Sequence, residues 1–215
     1  MQDQWTHEEP RRAGGQDRPA VDPPVRPSYL AAMKTSEADI LIVPGLMNSD
    51  EDHWQSRWEA RLPTARRVVQ DDWRVPDRDA WSARIAEAVR EATRPVILIA
   101  HSLGVVAVAH AAPQLPDGAV RGAFLVGFPD VEDLSIAPQV VASFAPIPCD
   151  PLPFPSVLVA SQNDPYATIA RAKHFAKAWG ADFVDAGESG HLNAASGHGP
   201  WPEGLMRIAE FMRHL

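Results

Sequence analysis

One stretch of the sequence restricts the fold more than any other: residues 96–106, which read VILIAHSLGVV. Its first five residues form a continuous apolar run, and such runs are typical of strands buried on both faces of a parallel sheet. Residues 103–112 are apolar almost all round, which predicts a deeply buried helix. Ser102 therefore lies on a tight turn between a buried strand and a buried helix.

The same alternation of strand and helix patterns continues from about residue 38 to the end of the chain. Apolar runs predict strands over residues 40–43, 66–70 (as an edge strand), 96–100, 123–127, 157–160 and 183–184. Apolar residues at helical spacing predict helices over residues 54–62, 81–92, 103–112, 169–179 and 205–215. Such alternation is typical of the α/β class. We expect one domain with a mostly parallel central sheet of about six strands, flanked by helices on both faces.

The first 35 residues differ in composition from the rest. They hold five prolines, with Arg and Asp between them and few aliphatic side chains. Such a segment cannot bury enough apolar surface to offset the entropy lost on ordering. We expect residues 1–35 to be a flexible tail and residues 36–215 to form the folded domain.

Charge and composition argue against several functions. The formal net charge is −8, and a negative surface repels phosphate backbones, so nucleic acid is not an expected partner. No apolar run approaches the roughly 18 residues of a membrane-spanning helix. The N-terminus lacks the basic and apolar regions of a secretory signal. Cys149 is the only cysteine, which excludes an intrachain disulfide and fits a cytoplasmic location.

Ser102 is the candidate nucleophile. A serine on such a turn is held in a strained backbone conformation that exposes its Oγ above the sheet. The residues two before and two after it must be small, because the strand and the helix nearly touch there. Ala100 and Gly104 meet this condition, although glycine is usual at both places. The alternative is an ordinary strand-to-helix connection in which Ser102 caps the helix.

A histidine must accept the serine proton, and an acid must orient that histidine. In this architecture the chain order is serine, acid, histidine. His191 follows the short strand at 183–184 in the turn-rich sequence GESGHL, where the base is expected. His198, in the sequence GHG, is the alternative. His110 and His174 fall within helical patterns, which argues against them as the base.

Asp164 is the candidate acid. It follows the strand at 157–160 in the sequence SQNDPY, so a polar turn presents its carboxylate and Pro165 fixes the chain before the next helix. Asp130 follows the preceding strand in GFPD and is the competitor. Asp164 is favoured because its strand comes directly before the one that leads to His191. An Asp before a helix also often serves only as a turn or cap residue.

Acyl transfer needs backbone N–H donors aimed at the developing oxyanion. The amide of Leu103, at the start of the nucleophile helix, is one candidate. The amide of Leu46, in the loop after the first strand, is the other, since Gly45 lets the backbone turn close to a substrate. Gly45, His101 and Trp73 are candidate pocket residues.

Several motifs occur together with this pattern. They are VPG at 43–45, NS at 48–49, HWQ at 53–55 with Trp58, QDDW at 70–73, AHSLG at 100–104, SQNDP at 161–165 and GHLN at 190–193. In this combination the chain resembles the small serine hydrolases related to retinoblastoma-binding protein nine, within the α/β-hydrolase superfamily. The likeness spans about residues 38–214.

The resemblance implies a compact, lidless α/β-hydrolase that needs no cofactor and hydrolyses an ester or amide bond. By position it implies Ser102 as nucleophile, Asp164 as acid and His191 as base. The Leu-x-Cys-x-Glu motif that binds retinoblastoma protein is absent, since Cys149 lies in IPCDP. Binding of that partner is therefore not expected, and no metal site is expected either.

We therefore expect a serine hydrolase that cleaves esters of small molecules, and also amides or thioesters, through an acyl-enzyme. Two alternatives stay open: a hydrolase-like binding protein without turnover, and haloperoxidase or lyase chemistry on the same fold. The proline-rich segment 129–153 either covers the active site or crosses the edge of the sheet.

Overall fold

The computed structural model describes residues 33–215. Residues 1–32, which make up most of the predicted tail, lie outside the described residues. No helix in residues 33–215 is long and apolar enough to cross a membrane.

The centre of the fold is one parallel sheet of six strands in the order β2-β1-β3-β4-β5-β6. The strands are β1 Asp39–Val43, β2 Ala65–Arg67, β3 Val96–His101, β4 Val120–Val126, β5 Ser156–Ala160 and β6 Asp182–Asp185. The buried runs form the inner strands, and the segment expected at the edge forms the edge strand β2. The predicted α/β class and strand number are confirmed.

Five α-helices connect and cover the strands. They are α1 Trp54–Glu59, α2 Arg78–Arg90, α3 Leu103–Ala111, α4 Ile169–Trp179 and α5 Pro202–Met212. Side-chain caps begin α2 and α4, because the Asp77 carboxylate accepts from Ala80 N–H and the Thr168 hydroxyl accepts from Arg171 N–H. Gly180 ends α4 in the left-handed conformation, at φ 67°.

Alternate residues of each strand supply two separate cores. Leu41 and Leu98 face a cluster formed with α2, α3 and α4, whereas Ile42 and Ile99 face a cluster formed with α1 and α5. This period of two is what a strand with both faces buried requires. Helices therefore cover both faces of the sheet, as predicted.

Two predicted elements are shorter than expected. Helix α1 ends at Glu59 and does not reach residue 62, because Pro63 follows Leu62 and the residue before a proline is disfavoured in helical conformation. Strand β2 covers three residues, Ala65–Arg67. One further ladder bond, from Val68 N–H to Ile42 O at 2.9 Å, extends it only slightly.

Candidate active site

Ser102 sits on the sharp turn between β3 and α3. Its backbone has φ 55° and ψ −128°, a conformation that side-chain-bearing residues rarely adopt and that costs free energy. Its N–H donates to Val126 O at 3.0 Å, which fixes the turn to β4. The strain therefore lies at the residue that the sequence indicates as the nucleophile.

The turn is tight enough to require glycine at two positions. A Cβ on Gly104 would lie 2.6 Å from Pro44 O, and one on Gly45 would lie 2.7 Å from Ser102 Cβ. At the other small position Ala100 is completely buried, so the turn accommodates one methyl group there. The departure from glycine at Ala100 leaves the turn intact.

The three side chains predicted to act together are hydrogen-bonded in a row. The Ser102 hydroxyl donates to His191 Nε2 at 2.9 Å. His191 Nδ1–H donates to the Asp164 carboxylate, at 2.8 Å to Oδ2 and 3.0 Å to Oδ1. The side chains of His191 and Asp164 are only 8% and 3% exposed, so little water competes for these bonds.

The loops after β5 and β6 are tied to each other, and this positions the histidine. Asn163 Oδ1 accepts from Gly190 N–H at 2.7 Å. Ser161 Oγ accepts from Ser189 N–H at 2.8 Å. Both donors come directly before His191, so the polar residues that precede Asp164 hold the loop of the base.

The HWQ motif at residues 53–55 supports the same site from the other side. Trp54 Nε1–H donates to Leu192 O at 2.8 Å. Gln55, which is fully buried, donates through Nε2 to Val43 O at 3.2 Å and to Ile99 O at 3.1 Å. The motif thus links β1, β3 and the histidine loop, a role that its helical spacing alone did not indicate.

Comparison with known proteins agrees with this geometry. The sequence profile of the serine hydrolase family matches residues 40–210. The chain belongs to the serine hydrolase family. No protein of curated function matches it.

Solved structures similar to this hydrolase share its fold. A protein described as a YdeN-like hydrolase from Pectobacterium atrosepticum is 39% identical, with 83% of this chain and 92% of that chain covered and a TM-score of 0.73. The ydeN gene product of Bacillus subtilis is 19% identical, with coverage of 81% and 98% and a TM-score of 0.70. The esterase domain of a Rhodothermus marinus protein is 17% identical, with coverage of 82% and 87% and a TM-score of 0.61. The last two show a shared fold.

His101 lies beneath the histidine loop of the hydrolase. Its Nε2–H donates to the backbone oxygen of His191 at 2.9 Å, and the two rings are 4.9 Å apart. Burial lowers the pKa of His101 well below its usual range, so the ring is neutral and carries its proton on Nε2. His101 lines the cavity as predicted, and it also supports His191.

The alternative acid and base have other contacts. Asp130 accepts two hydrogen bonds from Arg171, at 2.6 and 3.0 Å. His198 Nδ1 lies 3.3 Å from Ser196 Oγ. Neither is hydrogen-bonded to Ser102 or His191 within residues 33–215, so the structure brings Asp164 and His191 to the serine instead.

A cavity of about 330 Å³ opens at Ser102. It is lined by Gly45, Leu46, Met47, Asn48, Asp50, His53, His101, Ser102, Leu103, Pro129, Asp130, Val131, Ala137, Pro138, Val141, Tyr166, His191, Asn193, Ala194 and Ala195. Residues within 129–141, the first part of segment 129–153, therefore contribute to the cavity wall. Within residues 33–215, no group of three or more His, Cys, Asp or Glu side chains is placed to hold a metal ion.

Trp73 requires a correction, because it does not line this cavity. Its ring packs against Trp81, with ring centroids 5.5 Å apart, and its backbone oxygen accepts from Met47 N–H at 2.8 Å. The residue thus supports the loop after β1 from behind. Tyr166 lines the cavity in its place, with its ring edge-on to His191 at 4.5 Å, and the sequence pattern gave no reason to select it.

The two amides predicted as oxyanion donors both lie at the cavity. Leu46 and Leu103 line it, and within residues 33–215 neither N–H donates to another group. A Cβ on Gly45 would come within 3.1 Å of Leu103 N, so only glycine leaves the space beside that amide open. Unused donors beside a serine Oγ are what a developing oxyanion requires.

Proposed function

We propose that this hydrolase cleaves ester bonds of small molecules through an acyl-enzyme on Ser102, with His191 as base and Asp164 as orienting acid. The observation that carries the proposal is the continuous hydrogen-bond row from Ser102 Oγ through His191 to Asp164, with bonds of 2.9 and 2.8 Å. This order of donors is the one in which a histidine accepts the serine proton.

The steps follow from these contacts. Ser102 Oγ attacks the substrate carbonyl carbon while its proton passes to His191 Nε2. The Leu46 and Leu103 amides stabilise the negative oxygen that forms. Collapse of the intermediate breaks the bond to the leaving group, which takes the proton from His191. Water then repeats the sequence, so that the acid is released and the serine proton is restored.

The cavity supports small substrates. Its volume of about 330 Å³ lies at the lower end of the range for ligand sites, which is roughly 300–1,000 Å³. Val131, Pro138 and Val141 supply an apolar wall, which suits a short acyl chain. Among the structures that share the fold, the Rhodothermus marinus protein is named an esterase, and esters are accordingly the first substrates to test. Small molecules, rather than nucleic acid, are the expected partners.

Hydrolysis of p-nitrophenyl acetate, butanoate and octanoate tests this proposal. We expect turnover of the short esters, a lower kcat/KM for octanoate, and loss of activity by at least about a thousandfold in Ser102→Ala. Ser36→Ala, at an exposed serine, is the matched control and should be unchanged. Equal rates for Ser102→Ala and the native chain would refute the proposed nucleophile.

A further inference from the structure

His53 carries a buried hydrogen-bond donor beside the active site. The residue lines the cavity and is only 6% exposed. It is the N-cap of α1, where its Nδ1 accepts from Gln55 N–H at 3.2 Å. A ring nitrogen that accepts carries no proton, so the neutral ring has its proton on Nε2.

That Nε2–H has no hydrogen-bond partner within residues 33–215, although the atom is buried. The other buried side-chain atoms of this kind in the described chain belong to Trp58 and Gln70, which do not line the cavity. An unpaired buried donor is costly, and most such groups in proteins are paired. His53 is therefore the residue of the cavity lining, within residues 33–215, that has a buried side-chain donor without a partner.

His53 also lies on a definite side of the reacting serine. Its ring centroid is 4.7 Å from that of His101, which in turn lies 4.9 Å from that of His191. His53 is thus connected to His191 through the ring of His101, and in the proposed mechanism His191 delivers the proton to the departing oxygen. Asn48, Asp50 and Asn193 are further polar residues of the cavity lining, whereas Val131, Pro138 and Val141 are apolar.

We propose that the Nε2–H of His53 donates to an acceptor oxygen in the leaving group of the substrate. The preferred substrates are then esters of alcohols that carry an ether, hydroxyl or carbonyl oxygen close to the ester bond, rather than simple alkyl esters. The inference rests on the proposed esterase function and specifies its substrate class.

The protonation state of His53 is consistent with this role. Burial lowers its pKa to about 4, against a smaller opposing effect of Asp50. The ring is therefore neutral near pH 7, and its only free proton is the one on Nε2. His53 acts as a binding residue and does not replace His191 as the base.

Two nearly isosteric esters test the proposal: 2-methoxyethyl butanoate and n-butyl butanoate, which differ in one ether oxygen of the leaving group. The readout is the ratio of their kcat/KM values in the native chain and in two variants. His53→Asn keeps an acceptor near the Nδ1 position and removes the distal donor. His53→Gln keeps a donor near the Nε2 position and removes the helix cap.

We expect the preference for the methoxyethyl ester to fall about three- to tenfold in His53→Asn, the effect of one neutral hydrogen bond. In His53→Gln the preference should stay close to the native value, although loss of the cap lowers its melting temperature. If His53 had only a structural role, His53→Gln, which removes the helix cap, would lower the preference for the methoxyethyl ester more than His53→Asn does.

An unchanged ratio in His53→Asn, with both esters still hydrolysed, would overturn the assignment of His53 and leave the esterase function in place. An equal fall in both variants would also overturn it, because the effect would then not depend on the Nε2 donor. Absence of turnover with both esters in the native chain, together with no phosphonate adduct on Ser102, would refute the esterase function and with it this inference.

Discussion

The ends of β4 and β5 are alike in sequence but differ in chemistry. Each strand is followed, four residues after its last residue, by an aspartate: Asp130 after Val126 and Asp164 after Ala160. Both side chains are buried, at 7% and 3% exposed. Asp130 is bound by Arg171 at 2.6 Å, whereas Asp164 is bound by His191 at 2.8 Å.

The difference shows that the partner, rather than the position in the strand pattern, decides what a carboxylate does. A guanidinium stays charged at all relevant pH values, and its hydrogen bond to Asp130 raises the pKa of Arg171 further. Such a pair holds the loop through charged hydrogen bonds. An imidazole can both accept and donate a proton, so a carboxylate beside it can stabilise a proton that arrives during a reaction.

The largest expected effect separates the two aspartates directly. Asp164→Asn should lower kcat for an ester by about a thousandfold to ten-thousandfold, because an amide no longer selects the histidine tautomer that accepts from serine. Asp130→Asn should change kcat by less than about threefold. Steady-state kinetics of both variants, with folding checked by circular dichroism, would contradict the comparison if the two losses were similar.

A smaller effect on stability should appear at Arg171. Arg171→Gln leaves Asp130 buried without its cation and should lower the free energy of unfolding by about 2 kcal/mol, less than for a fully buried pair because Arg171 is 34% exposed. Adding Asp130→Asn should restore part of the loss. Urea unfolding gives these values, with Lys177→Gln on the same helix as control. A double variant less stable than Arg171→Gln would contradict this account of the pair.

Lowering the pH should reduce the stability of the folded chain through His53. In the unfolded chain His53 has a pKa of about 6.5, and burial lowers it to about 4 in the folded chain. As pH falls below about 6.5 the unfolded state binds protons that the folded state does not, so stability is lost. His53 alone should cost about 2 kcal/mol between pH 7 and pH 5.

Urea unfolding at both pH values, with His53→Asn against the native chain, measures this contribution. We expect a smaller loss of stability in the variant, since it no longer has the titrating group. His174→Gln, at an exposed histidine, is the matched control and should keep the native pH dependence. An equal loss in all three proteins would show that His53 does not titrate as described.

The smallest effect is expected at His198. It contacts Ser196 rather than the row of Ser102, His191 and Asp164, so His198→Gln should change kcat/KM by less than about twofold. His191→Gln should abolish activity under the same assay. A loss in His198→Gln that approached the loss in His191→Gln would reopen the choice between the two histidines.

The sequence alone was sufficient for the parts of the fold that repeat a simple pattern. The buried run before Ser102 and the apolar helix after it predict the turn, and the position of its loop after the strand at 183–184 favours His191 over His198. The choice between Asp130 and Asp164 depends on Arg171, which lies 41 residues beyond Asp130, and no local pattern shows that contact. Trp73 was misplaced because a strand-end aromatic residue can face either the cavity or the helix behind it, and only packing against Trp81 decides this.

His53 is a second residue whose position in the site cannot be predicted from the sequence alone. In the HWQ motif it stands directly before a helix, as any N-cap residue does, and its capping bond to Gln55 is local. Its place in the cavity depends on where β3 brings His101 and where the loop after β6 brings His191, and both are far away in the chain. Contacts of this range follow from the packed sheet and are not visible in residue spacing.

Labelling with a fluorophosphonate probe, read by mass spectrometry, tests the central claim most directly. We predict a phosphonyl adduct on Ser102 in the native chain, because a hydroxyl 2.9 Å from His191 Nε2 is activated as a nucleophile, and loss of that adduct in His191→Ala. An unlabelled Ser102 in the native chain, under conditions in which a known serine hydrolase is labelled, would contradict the account.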